Sequence, residues 1–294
     1  MEKSGSPLDP LYDFKVRSDY TPSPSSPYYI EFFWNLEKAS KSEVNHFISL
    51  MTPITQTSYS PEDLDYIHNF YLSNKNASEI NLVFIRNSKN HQIEGYMIYV
   101  ACVEYYLPNN LTKENEYTVL NGFAITNPSL RNKGIFEVIM SLYAYPYCIK
   151  NNGKNCVFNE LVVNPATYKY FTKNHILFPS YFRQIPRLVE DFMFMLIKKY
   201  NYKSLSPEKP FVIKDATIND FNSELWRRSY QKLSNEMKFF IDQTELKPGY
   251  GLLFFTFATL LQGNSLGLPC CQYYLSKKLP ELLFKEFHFD SPKL

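Results

Sequence analysis

The sequence predicts a mixed α/β fold: a mostly antiparallel sheet with one parallel pair, flanked by helices and followed by a C-terminal helical extension. Three observations predict it. Ile80–Arg86 and Ile93–Tyr106 are apolar-rich runs on either side of Asn87-Ser88-Lys89-Asn90, the pattern of a hairpin. Tyr117–Thr126 carries Val, Leu, Phe and Ile on both faces, as a central, doubly covered strand does. A helical pattern from Asn132 or Lys133 and a further strand-like run, Cys156–Val163, come next. A strand–helix–strand crossover sets the two strands parallel.

The elements follow in order. Residues 1–27 hold Pro7, Pro10, Pro22, Pro24 and Pro27 among many serines, a composition that buries little apolar surface and predicts a flexible arm. Tyr28–Trp34 reads as the first strand. Lys41–Met51 places Val44, Phe47, Ile48 and Met51 on one helical face, with Pro53 closing the helix. Ser60-Pro61-Glu62-Asp63 opens a second helix: serine suits the N-cap, proline the first turn, and the acids the dipole. Ile67, Phe70 and Tyr71 supply its buried face. The hairpin and the central strand come next, and Asn127-Pro128 stops the latter, because proline lacks an amide and restricts its predecessor. Ile135, Val138, Ile139, Leu142 and Tyr143 then recur at helical spacing up to Pro146. After the strand Cys156–Val163, Asn164–Lys173 reads as a short helix, and Val189–Ile197 as a helix or late strand. Lys203–Pro210 is the best linker candidate. Beyond it, Ile218–Tyr230 and Ser234–Asp242 suggest helices, so residues 204–294 are expected to form a mostly helical extension of unknown role.

Composition narrows the function. The chain is 45% hydrophobic and 17% aromatic, ample for the core of one large domain or two modest ones. A net charge of +2, with basic residues scattered, lacks the electrostatic footprint of a nucleic-acid binder. Five cysteines without framework or zinc-site spacing predict neither a disulfide scaffold nor a metal centre. The N-terminus lacks a signal pattern, and Gly251–Leu261 falls short of the roughly 20 apolar residues a membrane helix needs. The expectation is a soluble intracellular, cytoplasmic protein without a membrane span.

Between the central strand and its helix lies Arg131-Asn132-Lys133-Gly134-Ile135-Phe136. Unpaired amides and the dipole make a helix start attractive to anions, Gly134 lets a phosphate approach the backbone, and Arg131 and Lys133 add charge. The same spacing suits an ordinary strand-to-helix turn with solvated basic residues. The segment resembles the pyrophosphate loop of the GCN5-related N-acetyltransferases, Gln/Arg-x-x-Gly-x-Gly/Ala, with Phe136 in place of the final small residue. The element order over roughly residues 28–200 also resembles that family's fold, in which two parallel strands splay and the pantetheine arm of the acyl carrier enters between them.

The resemblance implies a site. Amides of Asn132 to Phe136 would hold the pyrophosphate, and backbone groups of Phe123, Ala124 and Ile125 would serve the oxyanion and pantetheine. Asn164 matches the family's pantetheine-holding asparagine. The family's acid tyrosine falls by spacing on Phe171, leaving Tyr170 and Tyr168 as candidates; both also suit packing of a short helix against a sheet. Amide formation from a thioester needs a base, an oxyanion stabiliser and an acid. Glu104 and Glu116, near the ends of central strands, are the candidate bases, or else solvated strand-end carboxylates. The implied function is an N-acyltransferase moving an acetyl or other acyl group from CoA to an amine of a small molecule or protein, within residues 28–203 and without a metal. The alternative is a catalytically silent relative serving as a binding or scaffold protein, which Phe136 and Phe171 favour.

Overall fold

The computed structural model describes residues 17–20, 26–57, 59, 64, 65, 67–106, 115–130, 156–174, 177–216 and 223–257. They belong to two compact units, Met1–Cys102 with Gly122–Lys133, and Val103–Asn121 with Gly134–Leu294.

In the first unit, strands β1 (Arg17–Tyr20), β2 (Tyr28–Phe33), β3 (Ala77–Asn87) and β4 (Ile93–Tyr106, here as far as Cys102) pair antiparallel in succession. The β3–β4 hairpin forms where the sequence predicts it. Asn87 begins the turn: its side chain accepts from the Lys89 amide at 2.8 Å, and its carbonyl from the His91 amide at 2.9 Å. Strand β5 (Asn115–Thr126) gives this unit Gly122–Thr126. Gly95 of β4 makes room for that segment, since a Cβ there would lie 2.9 Å from the Ile125 carbonyl oxygen.

Helix α1 (Lys41–Thr55) opens on a capping box. The Ser40 hydroxyl accepts from the Glu43 amide at 3.3 Å, and the Glu43 carboxylate from the Ser40 amide at 2.7 Å. Its apolar face sets Phe47, Met51 and Ile54 against Phe33, Leu82, Phe84 and Ile98 in one core. Pro53, expected to close the helix, lies inside its last turn. Proline removes a single backbone bond there, and burial of Ile54 and Thr55 outweighs it. The opening Ser60-Pro61-Glu62-Asp63 of the expected second helix lies outside the described residues. Its continuation, His68–Leu72, is wound as a wide π turn, with Ile67 and Tyr71 buried and Phe70 packed on the core. One ion pair is buried here: Arg86 Nε donates to Glu31 Oε2 at 2.5 Å, and Arg86 Nη1 to the His91 carbonyl at 2.8 Å.

In the second unit, β5 as far as Asn121 pairs parallel with β6 (Cys156–Val162). Of the pairings among the described residues, this one alone is parallel. After β6 come α2 (Pro165–Asn174), β7 (Leu177–Phe178), α3 (Arg187–Lys199), β8 (Lys203–Ser206), β9 (Lys209–Lys214), α4 (Ser223–Ser229), α5 (Asn235–Thr244) and β10 (Gly251–Phe257). Strand β10 lies antiparallel to β6 over Val157–Val162 and carries β9 and β7 on its other edge. Successive side chains of a strand point to opposite faces. The Phe254 ring meets Phe171 of α2 at 4.7 Å, and the Phe255 ring meets Phe192 of α3 at 5.2 Å. The two helices therefore cover opposite faces of β10.

Three stretches differ from expectation. Arg17–Tyr20, within the expected arm, is strand β1: backbone pairing with β2 orders it without an apolar pattern. Lys203–Pro210, the linker candidate, is the β8–β9 turn and its flanks, because Phe211, Val212 and Ile213 are buried and bring the polar arm with them. Residues 204–294, expected to be mostly helical, hold most of β8, all of β9 and β10, and two helices among those described. The apolar run Gly251–Phe257 becomes a strand because β6 offers it a complete antiparallel edge.

Candidate active site

In the parallel ladder, Thr118↔Cys156, Val119↔Val157 and Leu120↔Phe158 pair. The residues next in register are Asn121 and Asn159, both buried. Their side chains meet: Asn159 Nδ2 donates to Asn121 Oδ1 at 3.2 Å. Asn159 Oδ1 is buried and accepts no hydrogen bond. Buried polar atoms are nearly always partnered, so this acceptor stands apart from the apolar side chains around it.

Two strands independently give the face on which this pair lies. Asn159 sits opposite Phe255, whose ring meets Phe192 of α3. On β5, Tyr117 shares a face with Asn121, and its ring meets Phe192 at 4.8 Å. Both asparagines therefore lie on the α3 face. Asparagine is depleted in strands and unfavourable in a core, and two of them in adjacent central strands are the signal the sequence carried for this pair.

Of the cofactor residues expected from sequence, Arg131, Asn132, Lys133, Gly134, Ile135 and Phe136 lie outside the described residues. Phe123, Ala124 and Ile125 continue β5 beyond the ladder, in the first unit. Phe123 packs among the rings of Tyr59, Tyr71 and Tyr96 at 5.4, 5.6 and 6.0 Å, Ala124 is exposed, and Ile125 is buried. The Tyr71 hydroxyl donates to the Gly122 carbonyl at 3.2 Å, tying this stretch to the core. Asn164 caps α2: its side-chain oxygen accepts from the Ala166 amide at 2.8 Å, with Pro165 at the first helical position.

The candidate acid–base residues occupy different settings. Both oxygens of Glu104, which is buried, are engaged: Oε2 by Lys199 Nζ and Oε1 by Tyr200 Oη at 2.8 Å. Glu116 is exposed and accepts from the Tyr105 hydroxyl at 3.2 Å. Tyr168 is buried, with its ring against Phe239 and Phe240. Its hydroxyl donates to the Pro179 carbonyl at 2.9 Å, and burial raises its pKa far above the ordinary range, with Glu236 adding to the shift. Phe171, at the family's acid position, is a core residue against Phe254. Tyr170 is half-buried, its ring edge-on to Phe171 at 5.5 Å. Among the described residues no group of three or more His, Cys, Asp or Glu is arranged to hold a metal, and no helix is long and apolar enough to cross a membrane.

Strand β2, helix α1, the turn at His68–Leu72, strands β3, β4 and β5, the parallel strand β6 and helix α2 follow one another along the described chain. No protein-family model matches the chain, and no curated protein does. Solved structures similar to it include a ribosomal-protein-alanine N-acetyltransferase from Brucella melitensis, at 15% identity over 50% of this chain and 89% of that one, with a TM-score of 0.30. Arabidopsis thaliana NAA60 in complex with acetyl-CoA is 11% identical over 78% of this chain and 98% of its own, with a TM-score of 0.33. A putative acetyltransferase of the GNAT family from Desulfovibrio desulfuricans is 9% identical over 77% and 97%, with a TM-score of 0.30.

Proposed function

We propose that the chain is an acyl-CoA-dependent N-acyltransferase of the GCN5-related type, acting on an amine of a small molecule or protein. The observation that carries this reading is the buried Asn121–Asn159 pair beyond the last rung of the parallel β5–β6 ladder, with one acceptor that accepts no hydrogen bond. An acyl-carrying arm laid beyond that rung would bring its acyl end to the pair. Asn164, two residues beyond β6, is the position the resemblance gives to the pantetheine.

In this reading the pyrophosphate rests on amides of Asn132 to Phe136, near Arg131 and Lys133. Asn164 holds the pantetheine, and the backbone of Phe123 to Ile125 polarises the thioester carbonyl. Glu116 takes the proton of the attacking amine, directly or through water, as the new C–N bond forms. Glu104 is the weaker candidate, because Lys199 and Tyr200 already occupy its oxygens. When the C–S bond breaks, Tyr170 gives its proton to the departing thiolate. Tyr168 is the weaker acid, its proton being held by Pro179.

A thermal-shift titration with CoA and acetyl-CoA, with adenosine as control, tests the reading. Ligands that bind the native state raise the melting temperature by mass action. A saturable shift with both CoA species and none with adenosine is expected. No shift at millimolar CoA overturns the reading in favour of a silent relative. Gly134→Trp should abolish the shift while leaving the unliganded melting temperature nearly unchanged; a variant that binds as before would remove the phosphate loop from the proposal.

A further inference from the structure

We infer that the Asn121–Asn159 pair selects the acyl group, favouring one that ends in an O–H or N–H donor over an alkyl chain of the same length. The inference rests on the acyl-CoA reading above. An arm entering where the parallel ladder ends presents its acyl tip to the residues next in register, and those are Asn121 and Asn159. Most strand positions around them are apolar: Val119, Leu120, Val157 and Phe158 are fully buried. Against that background two carboxamides stand side by side on the α3 face, joined by one hydrogen bond at 3.2 Å.

Their hydrogen-bond inventory decides what they accept. Asn159 spends an N–H on Asn121 Oδ1, which fixes the rotation of its own amide and leaves Oδ1 as a buried acceptor without a donor. An alkyl tip seated there keeps that acceptor dry and unsatisfied, the more costly state of a buried polar group. A tip carrying a hydroxyl or amino group supplies the missing donor. A short acetyl group carries no such tip, so discrimination begins with longer acyl chains. Asn121 acts through Asn159, as a positioning residue for its amide.

The test compares two isosteric thioesters, 3-hydroxypropionyl-CoA and butyryl-CoA, with free CoA as reference, by isothermal titration calorimetry on the full chain. The wild type should bind the hydroxyacyl thioester about tenfold more tightly than the butyryl one. The double variant Asn121→Leu/Asn159→Leu, which removes donor and acceptor together, should bind free CoA as the wild type does and lose the preference. Equal affinity of the wild type for the two thioesters, with CoA binding intact, overturns the inference, and so does a preference that survives in the double variant. Should the variant fail to fold, the wild-type comparison alone decides. Absence of any CoA binding is a different failure: it overturns the acyl-CoA reading itself.

Discussion

Gly95→Ala tests how closely β4 and β5 approach within the first unit. A Cβ at Gly95 would lie 2.9 Å from the Ile125 carbonyl oxygen, 2.9 Å from Thr126 Cγ2 and 3.0 Å from Ile85 Cδ1. Non-bonded carbons rest at about 3.5–4.0 Å, so each neighbour must retreat by several tenths of an ångström. Ile85 can rotate, but a backbone carbonyl cannot turn aside without moving its strand. Overpacking of this kind costs about 1–3 kcal/mol, and the smaller entropy of an alanine in the unfolded chain returns about 0.4–1 kcal/mol. The net loss of about 1–2 kcal/mol corresponds to a fall in melting temperature of about 2–8 °C. Thermal denaturation followed by circular dichroism measures it. A variant melting at or above the wild-type temperature would show that β5 yields freely, and the close-approach argument would be wrong. Ile125 also belongs to the backbone stretch proposed to face the thioester, so the same variant should weaken CoA binding; unchanged affinity alongside the stability loss would remove Phe123 to Ile125 from the site while leaving the packing argument intact.

Tyr168→Phe should cost about 1 kcal/mol through the lost bond to Pro179 and leave turnover unchanged, whereas Tyr170→Phe should lower kcat about 10²-fold at unchanged stability. Release of free CoA thiol under steady-state conditions separates them, and the opposite ranking would reassign the acid. Glu31→Ala leaves the buried Arg86 guanidinium without its carboxylate and should destabilise by about 3–5 kcal/mol in urea unfolding. An unchanged midpoint would mean that the ion pair contributes nothing. The pKa of His68 is lowered below its ordinary 6.5, because burial outweighs the opposing pull of Asp65. The unfolded chain therefore takes up the proton more readily, and stability should fall as pH drops below 6.5 towards the folded-state value. His68→Gln should flatten that slope, and a slope unaltered by the substitution would place its origin elsewhere.

Much of the fold was legible because burial writes its own period. The arms of the β3–β4 hairpin, the capping box at Ser40 and the apolar face of α1 are local patterns, read from residues that lie close in sequence. The departures come from contacts between residues distant in sequence. Lys203–Ser206 has no apolar alternation of its own and is a strand because Lys209–Lys214 pairs with it. Gly251–Phe257 has the composition of a strand or a buried helix, and its partner β6 lies some ninety residues earlier. Pro53 ends a helix by its local rule, and the core beneath Ile54 overrides that rule.

The site divides along the same line. Asn164 could be assigned from its sequence neighbourhood, because capping is a local act: an asparagine before a proline, with its oxygen on the amide two residues on. Tyr168 could not, because nothing near it in sequence reveals that its hydroxyl meets Pro179 or that Phe239 and Phe240 enclose its ring. Glu104 likewise resembles a strand-end carboxylate until Lys199 and Tyr200, at the far end of α3, occupy both its oxygens. The Asn121–Asn159 pair is the most instructive case. Each asparagine alone is an unremarked polar residue in an apolar strand, and only the parallel register makes them neighbours. The crossover that the sequence predicts sets the strands parallel and leaves their register open. Aligned from their predicted starts at Tyr117 and Cys156, the strands would set Asn121 opposite Glu160; the observed Thr118↔Cys156 register brings it to Asn159 instead.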